Sequence, residues 1–347
     1  RIMAYTTIDD PSAFFQTTLY TGQSSGFSIT NGGNSDLKPD WIWIKRRDGS
    51  ADHNSFDSSR GTGAHLAQNQ TQAEQTVNGV TAFNSDGFTL STNNDSNYDG
   101  GTFVAWQWKA NGGTTASNTD GNITSTVQAN TTAGFSIVTW TGNETSSASV
   151  GHGLGVTPDL VIFKNRSSAY NWVVYLGALG QTSGNNMFAY LNLTNAAEQG
   201  AGITFTSSLL NPGSGATTNA SSMIAYCFNS VQGYSSFGTY VGNGTSGTDG
   251  TFIYTGFKPA MIMTKRASSA DAWVIYDNKR DPDNPCQLAL ATNSNAADDT
   301  FANWDFVSNG FKSITGNSQG ANGVTFVYWA FAESPLVTST GIPTTAR

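Results

Sequence analysis

The sequence predicts an all-β protein built as three tandem, homologous β-sandwich units. Three observations carry that prediction. Of 347 residues only 12% are charged and 12% are aromatic, so polar character comes from Asn, Ser, Thr and Gly, which favour turns and strand edges over helix interiors. The apolar runs are short, β-branched and aromatic, and Gly/Asn/Asp/Ser clusters separate them, the pattern of a sandwich. Finally, one set of landmarks occurs three times along the chain.

Each set opens on an aromatic-x-Gly element: Tyr20-Thr21-Gly22, Trp140-Thr141-Gly142 and Tyr240-Val241-Gly242. A Pro follows the aromatic by 19, 18 and 19 residues and begins PDWIWIK (Pro39 to Lys45), PDLVIFK (Pro158 to Lys164) or PAMIMTK (Pro259 to Lys265). His53, Trp172 and Trp273 each stand 14 residues after that Pro. TQAEQ, TNAAEQ and SNAADD come next, begun by Thr71, Thr194 and Ser294; two copies then read Asp86-Gly87-Phe88 and Asn309-Gly310-Phe311. Each set closes on an apolar run, FVAWQW, MIAYCF or FVYWAF, whose Trp106, Tyr226 and Trp329 lie 67, 68 and 70 residues after the Pro.

The chain therefore divides into an N-terminal arm (1–16), a first unit (17–110), a linker (111–134), a second unit (135–230), a third unit (237–335) and a C-terminal tail (336–347). The linker is assigned from its Asn/Gly/Thr/Ser-rich composition. Five to eight strands are expected per unit, with the NAAE-type element as one helical turn. The run Trp41-Ile42-Trp43-Ile44 does not alternate. Its counterparts are Leu160 and Ile162, then Met261 and Met263, so the copies share an apolar run rather than an aromatic surface. That predicts a central strand covered on both faces; the runs WVVY and FVAWQW, too apolar for one dry face, are expected to lie under a covering loop or a neighbouring unit. Lys45, Lys164 and Lys265 are expected to mark where the strand reaches solvent.

Net charge is −8, from 16 basic and 24 acidic residues. Without clustered Lys and Arg, nucleic acid is not an expected partner. No apolar run has the length of a signal peptide or a membrane span, so membrane insertion is not expected and synthesis in a host cytoplasm is. Cys227 and Cys286 fall at different points of the repeat and form no CxxC pair, which favours reduced thiols.

The chemistry-bearing residues are sparse. His53, His65 and His152 are the three histidines, and neither a G-x-S-x-G elbow nor an HExxH motif accompanies them. His53 stands where the other copies have Trp and reads as a packing aromatic; His152, flanked by glycines, reads as a turn residue. Carboxylates that could pair for glycan hydrolysis are Asp48, Asp52 and Asp57, Asp95 and Asp99, and Asp298 and Asp299, all in turn-like stretches. Asn93 to Gly101 offers oxygen ligands for Ca²⁺ but lacks EF-hand spacing. Arg60 and Arg280, beside Asp57 and Asp277, suggest a repeated structural salt bridge or loop clamp, of little energetic weight if exposed. The binding candidates are Trp172 and Trp273 with the turn residues Asn171 and Asp271, an aromatic beside an amide or carboxylate as in β-sandwich lectins; the other reading is that both Trp residues simply start a buried strand.

Several stretches carry a resemblance: AYTTIDDPSAFFQTTLYTG, FNSDGFTL, GFSIVTWTG, VGHGLGVTPDLVIFKNRSSAYNWVVY, LNLTNAAE and FAESPLVTSTGIPTTAR. Along essentially its whole length the chain resembles a family of virion structural, tail-fibre-like proteins of marine tailed bacteriophages, cyanophages and pelagiphages among them. The resemblance implies a jelly-roll or concanavalin-like sandwich and a place on the virion, and it transfers no catalytic motif. The expectation is a non-enzymatic structural protein, a tail fibre or tip component or a head decoration. It would contact other virion proteins and form a homo-oligomer, a trimer first, with multivalency as its mechanism. The alternatives are a lectin-like adhesin for host surface glycan and a glycan depolymerase.

Overall fold

In the computed structural model, residues 4–145, 148–182, 185–200, 202–213 and 220–344 are described. The chain is all-β, and its only helical pieces among those residues are single 3-10 turns. One strand order occurs three times. In unit 1 the opening strand Phe15–Thr21 pairs with the closing strand Thr102–Trp108, which pairs with the middle strand Trp41–Arg46; Asn54–Asp57 and Ala64–Ala67 follow. Unit 2 repeats this order with Phe135–Thr141, Ser222–Phe228, Leu160–Asn165, Val173–Leu176 and Asn185–Tyr190. Unit 3 does so with Ser235–Val241, Thr325–Pro335, Phe257–Arg266, Val274–Asp277 and Cys286–Ala291. Register coincides as well. Trp108 faces Phe15 and Trp41, Phe228 faces Phe135 and Leu160, and Phe331 faces Ser235 and Met261.

A second, smaller sheet backs each of the first two. In unit 1 it comprises Phe27–Ile29, Gly87–Leu90 and Val80–Asn84; in unit 2, Val150–Gly151, Leu209–Pro212 and Ile203–Phe205. In unit 3 the long strand Asp299–Val307 joins both layers into one eight-stranded sheet that ends on Gly310–Ser313 and Phe252–Tyr254. The repeated Gly before Phe has a steric reason. A Cβ on Gly87 or Gly310 would sit 2.0 Å from the carbonyl oxygen of Ile29 or Ile253 on the partner strand.

The apolar middle strands are covered on both faces, by two different cores. Ile42 and Ile44 pack into unit 1's own sandwich, as Val161 and Phe163 do in unit 2 and Ile262 in unit 3. Trp41, Trp43, Leu160, Ile162, Met261 and Met263 point the other way, into one core shared by all three units. Strand alternation explains the division, because successive side chains leave opposite faces. The closing strands follow the same rule. Trp106 and Trp108, Tyr226 and Phe228, and Trp329 and Phe331 all enter the shared core. The Phe331 ring lies 5.6 Å from Trp108 and 5.9 Å from Phe228, centroid to centroid. Three sandwiches with the same order of strands in their main sheets thus turn those sheets toward one shared core.

Three expectations are corrected. The linker is not a plain tether: Ala116–Asn118 and Ser125–Asn130 form a hairpin that adds two strands to the outer edge of unit 2's opening strand. The NAAE-type segment is extended rather than helical, and Glu198–Gln199 pairs with Phe188 and Met187. The three repeated lysines do not reach solvent; their residues are 0%, 1% and 0% exposed.

Candidate functional site at the seams between units

The repeated polar side chains collect at three seams, where unit 1 meets unit 2, unit 2 meets unit 3, and unit 3 meets unit 1. Each seam is built from equivalent positions. Besides a carbonyl of its own unit (Tyr170, Arg266 and Arg46), each lysine donates to one of the neighbouring unit: Lys164 Nζ to Thr71 O (2.8 Å), Lys265 Nζ to Thr194 O (3.3 Å) and Lys45 Nζ to Asn295 O (3.2 Å). An ammonium away from water needs such acceptors. Burial pulls all three lysine pKa values down to about 8.

The aromatic positions do likewise. Trp172 Nε1 donates to Ala67 O at 2.8 Å and Trp273 Nε1 to Tyr190 O at 3.1 Å. His53 takes the same role at the third seam. Its Nδ1 accepts from Trp43 Nε1 (2.9 Å), so its Nε2–H donates to Ala291 O (3.1 Å). Burial first, then the nearby Lys45, hold its pKa well below the usual imidazole value. Trp172 and Trp273 are both 0% exposed, so neither ring presents a stacking face to a surface ligand. Asn171 accepts from Asn192 Nδ2 at 2.8 Å, and Asp271 lies 3.7 Å from Arg266, so the four binding candidates serve packing and turn geometry.

Two seams carry the same buried ionic cluster. Between units 1 and 2, Arg60 Nε engages Asp57, and neither side chain is exposed. Arg60 Nη1 reaches Glu74 at 3.1 Å, Glu74 meets Arg166 at 2.7 Å, and the Tyr226 hydroxyl donates to Asp57 at 2.7 Å. Between units 3 and 1, Arg280 engages Asp277 (2.6 Å) and Asp298 (2.9 Å), Asp298 meets Arg47 (2.8 Å), and Trp106 Nε1 donates to Asp277 (3.1 Å). At the seam between units 2 and 3 the corresponding residues are Leu176, Leu179, Ala197 and Ala267, and the backbone bond from Ala197 N to Ala267 O is retained at 2.8 Å. All four ionic positions change together, which follows from the cost of leaving one buried charge without its partner.

Sequence reasoning missed a further repeated residue. Asn69 Oδ1 accepts from His53 N and Asn192 Oδ1 from Trp172 N, each at 2.9 Å, and Asn293 occupies the third equivalent position. The signal was an Asn two residues after the end of the fifth strand in every copy, hidden in an Asn-rich chain.

The remaining candidates are placed as follows. His152 is 0% exposed and its Nε2 lies 3.2 Å from Thr206 O. Asp52 accepts from Asn69 and Gln70 at 2.7 and 3.1 Å. In the 93–101 loop, Asn97 Nδ2 bonds Ser25 O and Ser91 O, both at 3.0 Å; no group of three His, Cys, Asp or Glu with metal-binding geometry occurs among the described residues. Cys227 and Cys286 are buried free thiols.

The profile of a family described as "Domain of unknown function (DUF7483)" matches residues 10–335. The chain belongs to the DUF7483 family. That match spans all three units, so the family unit is the whole ring of sandwiches rather than one repeat. No curated protein and no solved structure matches the chain.

Proposed function

We propose that this DUF7483 chain is a non-enzymatic structural component of a bacteriophage virion, a tail fibre or tip part or a head decoration. The observation that carries the reading is the use made of its chemistry-bearing side chains. The repeated Lys, Arg, Asp and Trp residues are engaged in holding three units together. That arrangement suits a rigid spacer or surface block, and the sequence resemblance given above points to a virion as its setting. In place of the homotrimer first expected, we take the single chain, whose three units surround one core, as the assembling unit. Light scattering is expected to give a mass near 36.6 kDa. Mass spectrometry of purified particles from cells carrying the gene is expected to find the chain at stoichiometric level, with immunogold labelling giving its location. Absence from the particles would overturn the reading.

A second reading, a glycan-binding adhesin, has one specific observation in its favour. On the outer strand Phe252–Tyr254, Phe252 is 47% and Tyr254 57% exposed, on the same face as Lys312 opposite Phe252. The equivalent positions in unit 1 are Ser28 and Thr30, so unit 3 alone of this pair displays aromatic rings there, where they are available for stacking. Binding of the intact protein to host envelope polysaccharide, lost in Phe252→Ala/Tyr254→Ala, is its test.

A further inference from the structure

The three seams differ in one respect that the ionic clusters do not explain. In each, the opening strand of one unit runs beside the turn that follows the fourth strand of the preceding unit. Between units 2 and 3 that turn is the 3-10 segment Gly177–Leu179, which packs against Ser235–Val241 and leaves a void of only about 10 Å³. Between units 1 and 2 the turn residues Ser58 and Ser59 meet an added strand. Ser125–Asn130 pairs antiparallel with the opening strand, and its Gln128 Nε2 donates to Ser58 Oγ (3.0 Å) and Ser59 Oγ (2.8 Å). Between units 3 and 1 neither device is present among the described residues. A cleft of about 530 Å³ runs there along Phe15–Leu19, bordered by Gly32 and Gly33 on one side and by Asn278 and Lys279 on the other.

The opening strand Phe15–Thr21 has one neighbour in its sheet, the closing strand, so its second edge faces this cleft. Backbone N–H and C=O groups along an uncovered edge are a template for another strand. Two side chains in the cleft wall also lack partners. Thr17, 7% exposed, has an unbonded Oγ1, and Asn278 has an unbonded Oδ1. Thr17 stands where the other seams have Ile137 and Phe237, both apolar. Asn278 stands where Ser58 receives the Gln128 amide.

We propose that the edge Phe15–Thr21 is a docking site for an extended strand of another polypeptide, added antiparallel as Ser125–Asn130 is added to unit 2. The chemistry of the occupant is set by that internal precedent: a short segment of hydroxyl, amide and small aliphatic side chains, with an amide donor placed to reach Asn278. The proposal concerns the edge itself and stands whether or not the chain belongs to a virion.

The test is hydrogen exchange on the full chain, with and without a synthetic peptide of sequence ITSTVQANT (Ile123 to Thr131). In the free chain the cleft-facing amides of Phe15–Leu19 are expected to exchange at least about a hundredfold faster than the equivalent amides of Phe135–Thr139, which are paired on both sides. The peptide at about ten times its dissociation constant is expected to slow them roughly tenfold, and the same peptide with Val127→Pro and Ala129→Pro is expected to leave them unchanged. Gly32 has open space around the position of a Cβ, so Gly32→Trp is expected to abolish the slowing while keeping the parent melting temperature. Edge amides already as protected as those of unit 2 would overturn the proposal. So would no slowing by the peptide, slowing that survives Gly32→Trp, or slowing produced by host oligosaccharide and not by the peptide.

Discussion

Removing the Arg60 guanidinium tests what the buried ionic seam contributes. Arg60 and Asp57 side chains are both fully buried. Arg60 also donates to Glu74 at 3.1 Å and to Ser55 O at 3.2 Å. In Arg60→Ala, Glu74 keeps Arg166 and some solvent, whereas the Asp57 carboxylate keeps only the Tyr226 hydroxyl and the backbone amide of residue 60. The cost therefore falls on one stranded carboxylate, and breaking such a pair from one side costs about 3–5 kcal/mol. The seam between units 2 and 3 shows the alternative solution. Asp57→Leu, Arg60→Leu, Glu74→Ala and Arg166→Ala, with Tyr226→Phe so that no phenol is stranded, recreate it. Replacing a whole buried ionic group by apolar residues is often neutral, so the five-site variant is expected within about 2 kcal/mol of the parent. Equilibrium urea unfolding of the parent, Arg60→Ala and the five-site variant reads both quantities, the difference reporting the coupling. The reasoning is refuted if Arg60→Ala loses less than about 1 kcal/mol, or if the five-site variant is the least stable of the three.

Trp43, 0% exposed in the shared core, is expected to cost about 3–5 kcal/mol when changed to Ala, read by the same unfolding experiment; a negligible loss would contradict the inward packing of the units. The buried lysines set a pH dependence. Their pKa values are near 8 in the folded chain and 10.5 for an exposed lysine, so between those values the unfolded chain holds more protons. Stability should then rise with pH across that window, by at most about 1.4 kcal/mol per pH unit for each lysine. Urea midpoints from pH 8 to 9 are expected to climb, the three lysines outweighing the two buried thiols and the buried tyrosines, whose ionisation in the unfolded chain acts in the opposite direction, and Lys45→Met is expected to reduce the slope. Burial pushes both cysteine thiols upward, Cys286 to about 12, so maleimide should label neither in the folded protein and both after denaturation; rapid native labelling would contradict their placement.

Much of the architecture was legible in the chain because the repeat compares each position with two others. Trp41 and Trp43 alone suggest an exposed aromatic platform; beside Leu160, Ile162, Met261 and Met263 they read as a doubly covered strand, and the structure agrees. What could not be read is which body covers the second face, since no pattern within one unit records its neighbour. The lysine expectation failed for that reason. A Lys ending an apolar strand ordinarily meets water, and the second carbonyl that receives each of Lys45, Lys164 and Lys265 belongs to a distant residue. The 111–134 segment misled through composition, because Ser, Thr and Asn suit a tether and equally suit an added edge strand such as Ser125–Asn130. Trp172 and Trp273 allowed a binding role by residue type and a buried strand start by their shared spacing with His53, and the structure follows the spacing.

The ring of units has a consequence for how its joints can diverge. In an assembly of three identical chains, any substitution at an interface appears three times, and all joints strengthen or weaken together. Here the seams are encoded separately, so one codon alters one joint. The Leu176, Leu179, Ala197 and Ala267 seam, the two ionic seams, and the one cleft among them left with a bare strand edge are what such independence permits. Each joint of the same body can be tuned to a different strength, and each flank fitted to a different neighbour, without disturbing the other two.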